Sequence, residues 1–330
     1  MNLPLLNQLH TEGLVSPESL EKAKNQAANN LFSLHWELKT ILYLGVMLLS
    51  GGLGILVYKN IDSIGHQVIL LFIALVCAGS FFYCFKNKFP FSIQIVKAPN
   101  AFFDYVLLLG CLMFISFIAY FQYQYNVFGN RFGLAVFFPV LVLFFSAYYF
   151  DHLGILSLAI TNLAAWLGIT VTPLRILQAN NFNSNIIIYT GIFLGVLLIA
   201  LAIATEKRNI KKHFAFTYTN FGMHVLFISA LAGMFYFNSI YLLWLLFLAG
   251  ITFYFYTKAL ADKSFYLLLV CTLYAYTGIS YVVIRSLSYI SYLDLGAVYL
   301  GLIYFIISGI MLVIFLMRTN KKMKADDSIQ

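Results

Sequence analysis

A histidine sits deep inside an apolar run of this sequence. His213, Thr217, Asn220 and His224 recur at i, i+4, i+7 and i+11, so one face of their helix is polar from its edge toward mid-membrane. His224 then lies about 13 Å deep. It is the only histidine of the chain so placed, and imidazole exchanges protons near neutral pH. The plainer alternative is a hydrogen bond that joins two helices.

A second stripe, Tyr274, Thr277, Gly278, Tyr281 and Arg285, has the same helical spacing and ends on a cation. A guanidinium cannot be neutralised, so Arg285 must snorkel, pair or face water. Asn162, with Trp166 and Pro173, forms a third, shorter stripe. Convergence of His224, Asn220, Asn162, Tyr274, Thr277 and Tyr281 would give a polar cavity near the midplane. Asn60, Asp62, His66, Arg131, Arg175, Arg285 and Asp294 fall at the opposite ends of their segments from most of the charge. Their arginines could line a vestibule for an anionic group, because arginine grips carboxylate and phosphate bidentately. Asp104 and Asp151 sit at the starts of apolar runs, where capping and helix-dipole effects account for them.

The elements that must carry these residues follow from composition. Hydrophobic residues make up 62% of the 330 and charged residues 10%, with a mean hydropathy of +0.87. Soluble domains carry about 25% charge. Lipid must therefore be the solvent, and the expected class is an all-α polytopic membrane bundle. About 20 apolar residues cross the hydrocarbon layer. Runs of that kind occur near 41–58, 67–85, 102–121, 132–150, 153–171, 186–204, 215–235, 240–257, 264–284 and 295–317. The weakest break is Asp151-His152, where one long bent helix is the competing reading.

Ten spans with the N-terminus inside put sixteen of the 20 Lys and Arg residues on the cytoplasmic side. Only Lys59, Arg131, Arg175 and Arg285 remain outside. Merging the fourth and fifth runs destroys that asymmetry, so the positive-inside rule favours ten spans with both termini in the cytoplasm. The net charge of +8 thus reports orientation and not nucleic-acid binding.

Residues 1–39 read as a cytoplasmic helical arm, with Ser16 as N-cap and Pro17 at the first helical position of a short helix. Residues 40–317 form the membrane domain, and 318–330 a disordered cytoplasmic tail. Gly191 and Gly195 have the GxxxG spacing of close helix packing. The four cysteines, Cys77, Cys84, Cys111 and Cys271, lie inside apolar runs and read as buried hydrophobes.

The arm and first span carry Gly13-Leu14-Val15-Ser16, then Gly45 and Ser50-Gly51-Gly52-Leu53-Gly54, then Lys59-Asn60-Ile61-Asp62. This pattern resembles a bacterial family of predicted multi-pass membrane proteins of unknown function, over about the first 90 residues. Ile61 departs from it, standing where the family usually has tryptophan. The resemblance implies a bacterial inner membrane and supplies no activity.

No HExxH, GxSxG, P-loop or Asp-Asp-x-x-Asp signature occurs. The expectation is therefore no metal and no cofactor, with the lipid bilayer, a small solute and a protein docked on residues 1–39 as partners. A permease-like transporter for a small, anionic solute comes first. A structural or regulatory component acting through the arm comes second. A membrane enzyme acting on a lipid or lipid-linked sugar, with His224 or His66 as base, comes third, behind the two non-enzyme readings.

Overall fold

The computed structural model describes residues 10–12, 15–21, 35–59, 65–171, 185–290 and 295–325. No strand occurs among them. The long helices are α1 (His35–Lys59), α2 (His66–Asn87), α3 (Ala101–Tyr125), α4 (Phe132–Phe150) and α5 (Leu153–Val171). They continue as α6 (Asn185–Arg208), α7 (Phe214–Tyr236), α8 (Tyr241–Ala261), α9 (Phe265–Ile290) and α10 (Leu295–Ala325). Each apolar run of the sequence falls in its own helix. Eight helices, α2–α4 and α6–α10, are long and apolar enough to cross a membrane. Helices α1 and α5 contain the shorter apolar stretches Leu38–Gly52 and Leu153–Gly168.

The break at Asp151-His152 is a true turn. Asp151 closes α4 in the left-handed region at φ 60°, and its N–H donates to the Ala147 carbonyl. His152 then caps α5, its Nδ1 accepting from the Ile155 N–H at 3.1 Å. Local chemistry also sets other ends. The Asn100 side chain accepts from the Phe103 N–H at the start of α3, and Asn126 ends that helix left-handed.

The chain divides into two compact units, Met1–Lys59 and Asn60–Gln330. In the first unit, residues 17–21 are helical and the Ser16 hydroxyl accepts from the Ser19 N–H at 3.2 Å, the cap its sequence predicts. Residues 1–9 and 22–34 of the expected arm lie outside the described residues. The C-terminal tail differs from expectation: α10 runs to Ala325, so 318–325 are helical and not disordered. Residues 326–330 lie outside the described residues.

In the second unit, neighbouring helices pack as consecutive hairpins around two cores. One joins α2–α7 through residues such as Phe103, Leu107, Leu143, Ile155 and Tyr218. The other joins α6–α10 through Phe227, Leu248, Phe255, Leu268 and Leu316. Helix α7 belongs to both. It has the lowest hydropathy of the eight candidate spans and the largest buried share, 67%. Its polar residues are tolerable because neighbouring helices, not lipid, surround most of them. Helix α10, only 6% buried, has the opposite character.

The α6–α7 contact is the most extensive between helices of this unit. A Cβ on Gly195 would stand 2.5 Å from Leu226 Cγ, and one on Gly222 would stand 2.8 Å from Ile199 Cδ1. A Cβ on Gly191 would collide with the Ser229 hydroxyl. The GxxxG reading therefore holds. Apolar burial drives little association within lipid, so backbone approach and the dispersion contacts it permits do more here. The four cysteines are free and buried, as expected.

Candidate functional site

Helices α7 and α9 bring His224 and Tyr274 together. The Tyr274 hydroxyl lies 2.8 Å from His224 Nδ1. The other ring nitrogen, Nε2, lies 3.1 Å from the Tyr266 hydroxyl. Tyr266 in turn donates to Asn220 Oδ1 at 2.7 Å. Both imidazole nitrogens are thus engaged, and one hydrogen-bonded chain runs Asn220, Tyr266, His224, Tyr274. The Tyr274 ring is stacked on Phe227 at 4.9 Å, which fixes its hydroxyl against the histidine. Spacing of one helical turn puts Asn220 and His224 on one face of α7. It does not reveal Tyr266, 42 residues away in sequence.

The stripe on α9 ends in a second cluster. Arg285 donates to the Asn238 side chain at 2.9 Å, to the Asn238 carbonyl at 3.0 Å and to the Tyr281 hydroxyl at 2.9 Å. Its guanidinium also lies 4.3 Å from the centre of the Tyr241 ring. Arg285 is therefore held on the α7–α8 connection. Arg131 is exposed before α4. From Tyr266 to Arg285, α9 covers about 28 Å, close to the roughly 30 Å of a hydrocarbon core.

The opposite end of the unit holds a pocket of about 190 Å³, lined by Glu206, His213, Lys258, Asp262 and Thr219 among others. Lys258 pairs with Glu206 at 3.1 Å and with Asp262 at 3.4 Å. The Thr219 hydroxyl is buried there and has no hydrogen-bond partner among the described residues. Thr219 directly precedes Asn220, and at about 100° per residue the two side chains leave α7 on different faces.

Beside the pocket stands an ion-pair cluster that the sequence does not disclose. Asp151 Oδ2 lies 3.0 Å from Lys211 Nζ, and Oδ1 lies 2.5 Å from His213 Nε2. The side chains of Asp151 and Lys211 are each 1% exposed. Oδ2 also accepts from the Val96 N–H, while Lys211 donates its N–H to the Ile93 carbonyl and its Nζ to that of Gln94. The segment between α2 and α3, the α4–α5 turn and the α6–α7 turn are thereby tied together. Capping does not explain Asp151: a carboxylate at a helix C-terminus is unfavourably placed in the dipole, and its cationic partners offset that. His213, expected in the α7 stripe, turns instead to Asp151. Asp104 stays in the first turn of α3, 3.7 Å from His152 Nε2. The available sequence signal is the Asp-His pair interrupting two apolar runs, together with a basic cluster assigned to the same membrane side.

Other expected residues do not converge. Asn162 donates to the Leu158 carbonyl of its own helix at 3.0 Å, and Thr277 likewise to Leu273. Thr277 nevertheless stands on α9 between Tyr274 and Tyr281. His66 Nδ1 meets the Tyr120 hydroxyl at 2.7 Å, joining α2 to α3. Asn60, Asp62, Arg175 and Asp294 lie outside the described residues. Among those described, no three His, Cys, Asp or Glu side chains are grouped as metal ligands.

Fold and polar clusters together define a multi-pass helical membrane protein. Residues 7–156 match the model of a family described as predicted membrane protein (DUF2157). That is the kind of family which the arm and first span resemble, and it has no assigned function. No curated protein and no solved structure matches the chain.

Proposed function

We propose that the protein is a permease for a small solute in a bacterial inner membrane, with α1–α10 all crossing and both termini cytoplasmic. The observation that carries this reading is the polar track on α7 and α9. Its middle is the hydrogen-bonded chain Asn220, Tyr266, His224 and Tyr274. The Glu206–Lys258 pocket lies toward one end of it, and Thr277, Tyr281 and Arg285 follow along α9 toward the other. Polar groups at membrane depth are costly unless they face water, a ligand or one another. A path nearly as long as the bilayer is thick is the arrangement that translocation needs, with His224 near its middle able to bind a solute or pass a proton.

The orientation is supported by the basic-residue asymmetry, while the Lys211–Asp151 pair joins three connections at one end of the bundle, as alternate crossing requires. Arg285, held by Asn238, anchors the outer end of the track in this reading, and the solute-binding group is His224.

The test is a thermal-shift screen of the purified full-length protein against small metabolites, repeated on His224→Gln. A ligand at a hundredfold excess over its dissociation constant stabilises by about 2.7 kcal/mol. A solute that raises the apparent Tm of the parent and not of an equally stable His224→Gln variant supports the permease. A screen in which every stabilising solute acts equally on both proteins rejects it.

A second reading has one observation in its favour. The arm and α1 form their own compact unit, which suits a protein that docks a partner through residues 1–39. Deletion of residues 1–30 then abolishes the cellular phenotype, and His224→Gln preserves it. The permease predicts the reverse.

A further inference from the structure

We propose that the groove between the C-terminal halves of α8 and α10 is a binding site for the headgroup and upper acyl chains of an anionic phospholipid. The groove encloses about 840 Å³. Its floor is apolar, from Tyr256 and Leu260 on one wall and Met311, Ile314 and Phe315 on the other. Tyr256 and Phe315 stack at 6.3 Å across it. Its rim is cationic, from Lys263, Arg318 and Lys322, and no acidic residue lines it among the described residues.

The order of these groups along α10 matters. Met311, Ile314 and Phe315 come first, Arg318 a turn later and Lys322 a turn beyond that, a span of about 16 Å. A phospholipid presents the same order from acyl chain to phosphate. Met311 and Arg318 are both exposed and α10 is only 6% buried, so the groove opens sideways toward lipid. Basic pockets between helices on the cytoplasmic side bind anionic headgroups. A free inorganic anion would leave the apolar floor unused. A second copy of this face would bring cations against cations. The helical register that aligns this rim exists because α10 continues past Met317, with Leu316 and Met323 buried on its inner side.

The experiment is native mass spectrometry of the full-length protein with added phosphatidylglycerol or phosphatidylcholine. Each basic side chain at an anionic surface contributes roughly a fivefold gain in affinity. The expected result is selective retention of phosphatidylglycerol, weakened on the order of 25-fold in Arg318→Gln/Lys322→Gln. Lys86→Gln/Lys88→Gln, which alters charge elsewhere on the same assigned side, should leave retention unchanged, and excess inorganic phosphate should not displace the lipid. Met311→Trp fills the floor while keeping the cations, and should also weaken retention. It carries the test if the double glutamine variant does not fold. Equal retention of the two lipids, retention unaffected by these groove variants, or displacement by phosphate would overturn the proposal.

Discussion

Asp151 and Lys211, 60 residues apart in sequence, form a 3.0 Å ion pair that is almost wholly buried at the end of the helix bundle. Burial of both charges is expensive, and the pair is sustained by the further bonds to His213, Val96 and Gln94. Loss of one partner leaves the other charged and dry. Lys211→Ala should therefore destabilise by about 3–5 kcal/mol, read as a large fall in apparent Tm in detergent. The double replacement Asp151→Asn/Lys211→Met should recover much of that loss, because asparagine tolerates the left-handed turn and still accepts from the Val96 N–H. A Lys211→Ala protein as stable as its parent would show that the pair is hydrated and unimportant.

The α6–α7 seam makes a second prediction. Gly195→Ala drives a methyl group against Leu226 and should cost about 1–3 kcal/mol, with partial rescue by Leu226→Ala. Gly250→Ala, where an added Cβ meets open space, should be neutral or gain up to about 1 kcal/mol from helix propensity. Equal effects at the two glycines would mean that the close approach is absent in the membrane.

Orientation can be checked with single cysteines in a cysteine-free background. Lys211 is a poor reporter because it is buried, whereas Lys212 and Asn238 are exposed. An impermeant thiol reagent applied outside should mark Asn238→Cys, and should mark Lys212→Cys only after the membrane is opened. Outside labelling of Lys212→Cys would invert the topology.

Water along the track is testable at Thr277. If the face of α9 between Tyr274 and Tyr281 lines a solute path, Thr277→Cys should react with a charged methanethiosulfonate reagent. Ile306→Cys, exposed on α10, should resist it because lipid covers it. Equal resistance at both positions would count against a wet track.

Arg285→Ala removes the bonds to Asn238 and the contact with Tyr241, and should lower stability by about 1–2 kcal/mol. Arg285→Lys should rescue little, since an ammonium cannot reproduce the planar fork that spans the Asn238 side chain and carbonyl. Solute binding lost in Arg285→Ala without any loss of stability would return this residue to the role of an anion-binding group.

The helices are legible in the sequence because each apolar run is long and its borders are polar or charged. His224 is legible by depth, and the α6–α7 seam by the spacing of Gly191 and Gly195. What periodicity cannot supply is the partner across a helix interface. Tyr266 is one tyrosine among 23 until the fold sets it on His224. Asn162 matches His224 in expected depth, yet its amide is satisfied by its own helix. Asp151 misleads because a carboxylate next to a turn has an adequate local explanation. Its real partners come from a connection about 60 residues later.

The central place of α7 bears on how the chain is made. A segment of such modest hydropathy, with Asn220 and His224 in its interior, gains little by leaving a translocon alone. Helix α6 is far more apolar and immediately precedes it. The glycine-lined face of α6 gives α7 a surface to enter against, so the two are expected to partition into the bilayer as a pair. Mutations that roughen that seam should then reduce the amount of protein that reaches the membrane before they affect anything the finished protein does.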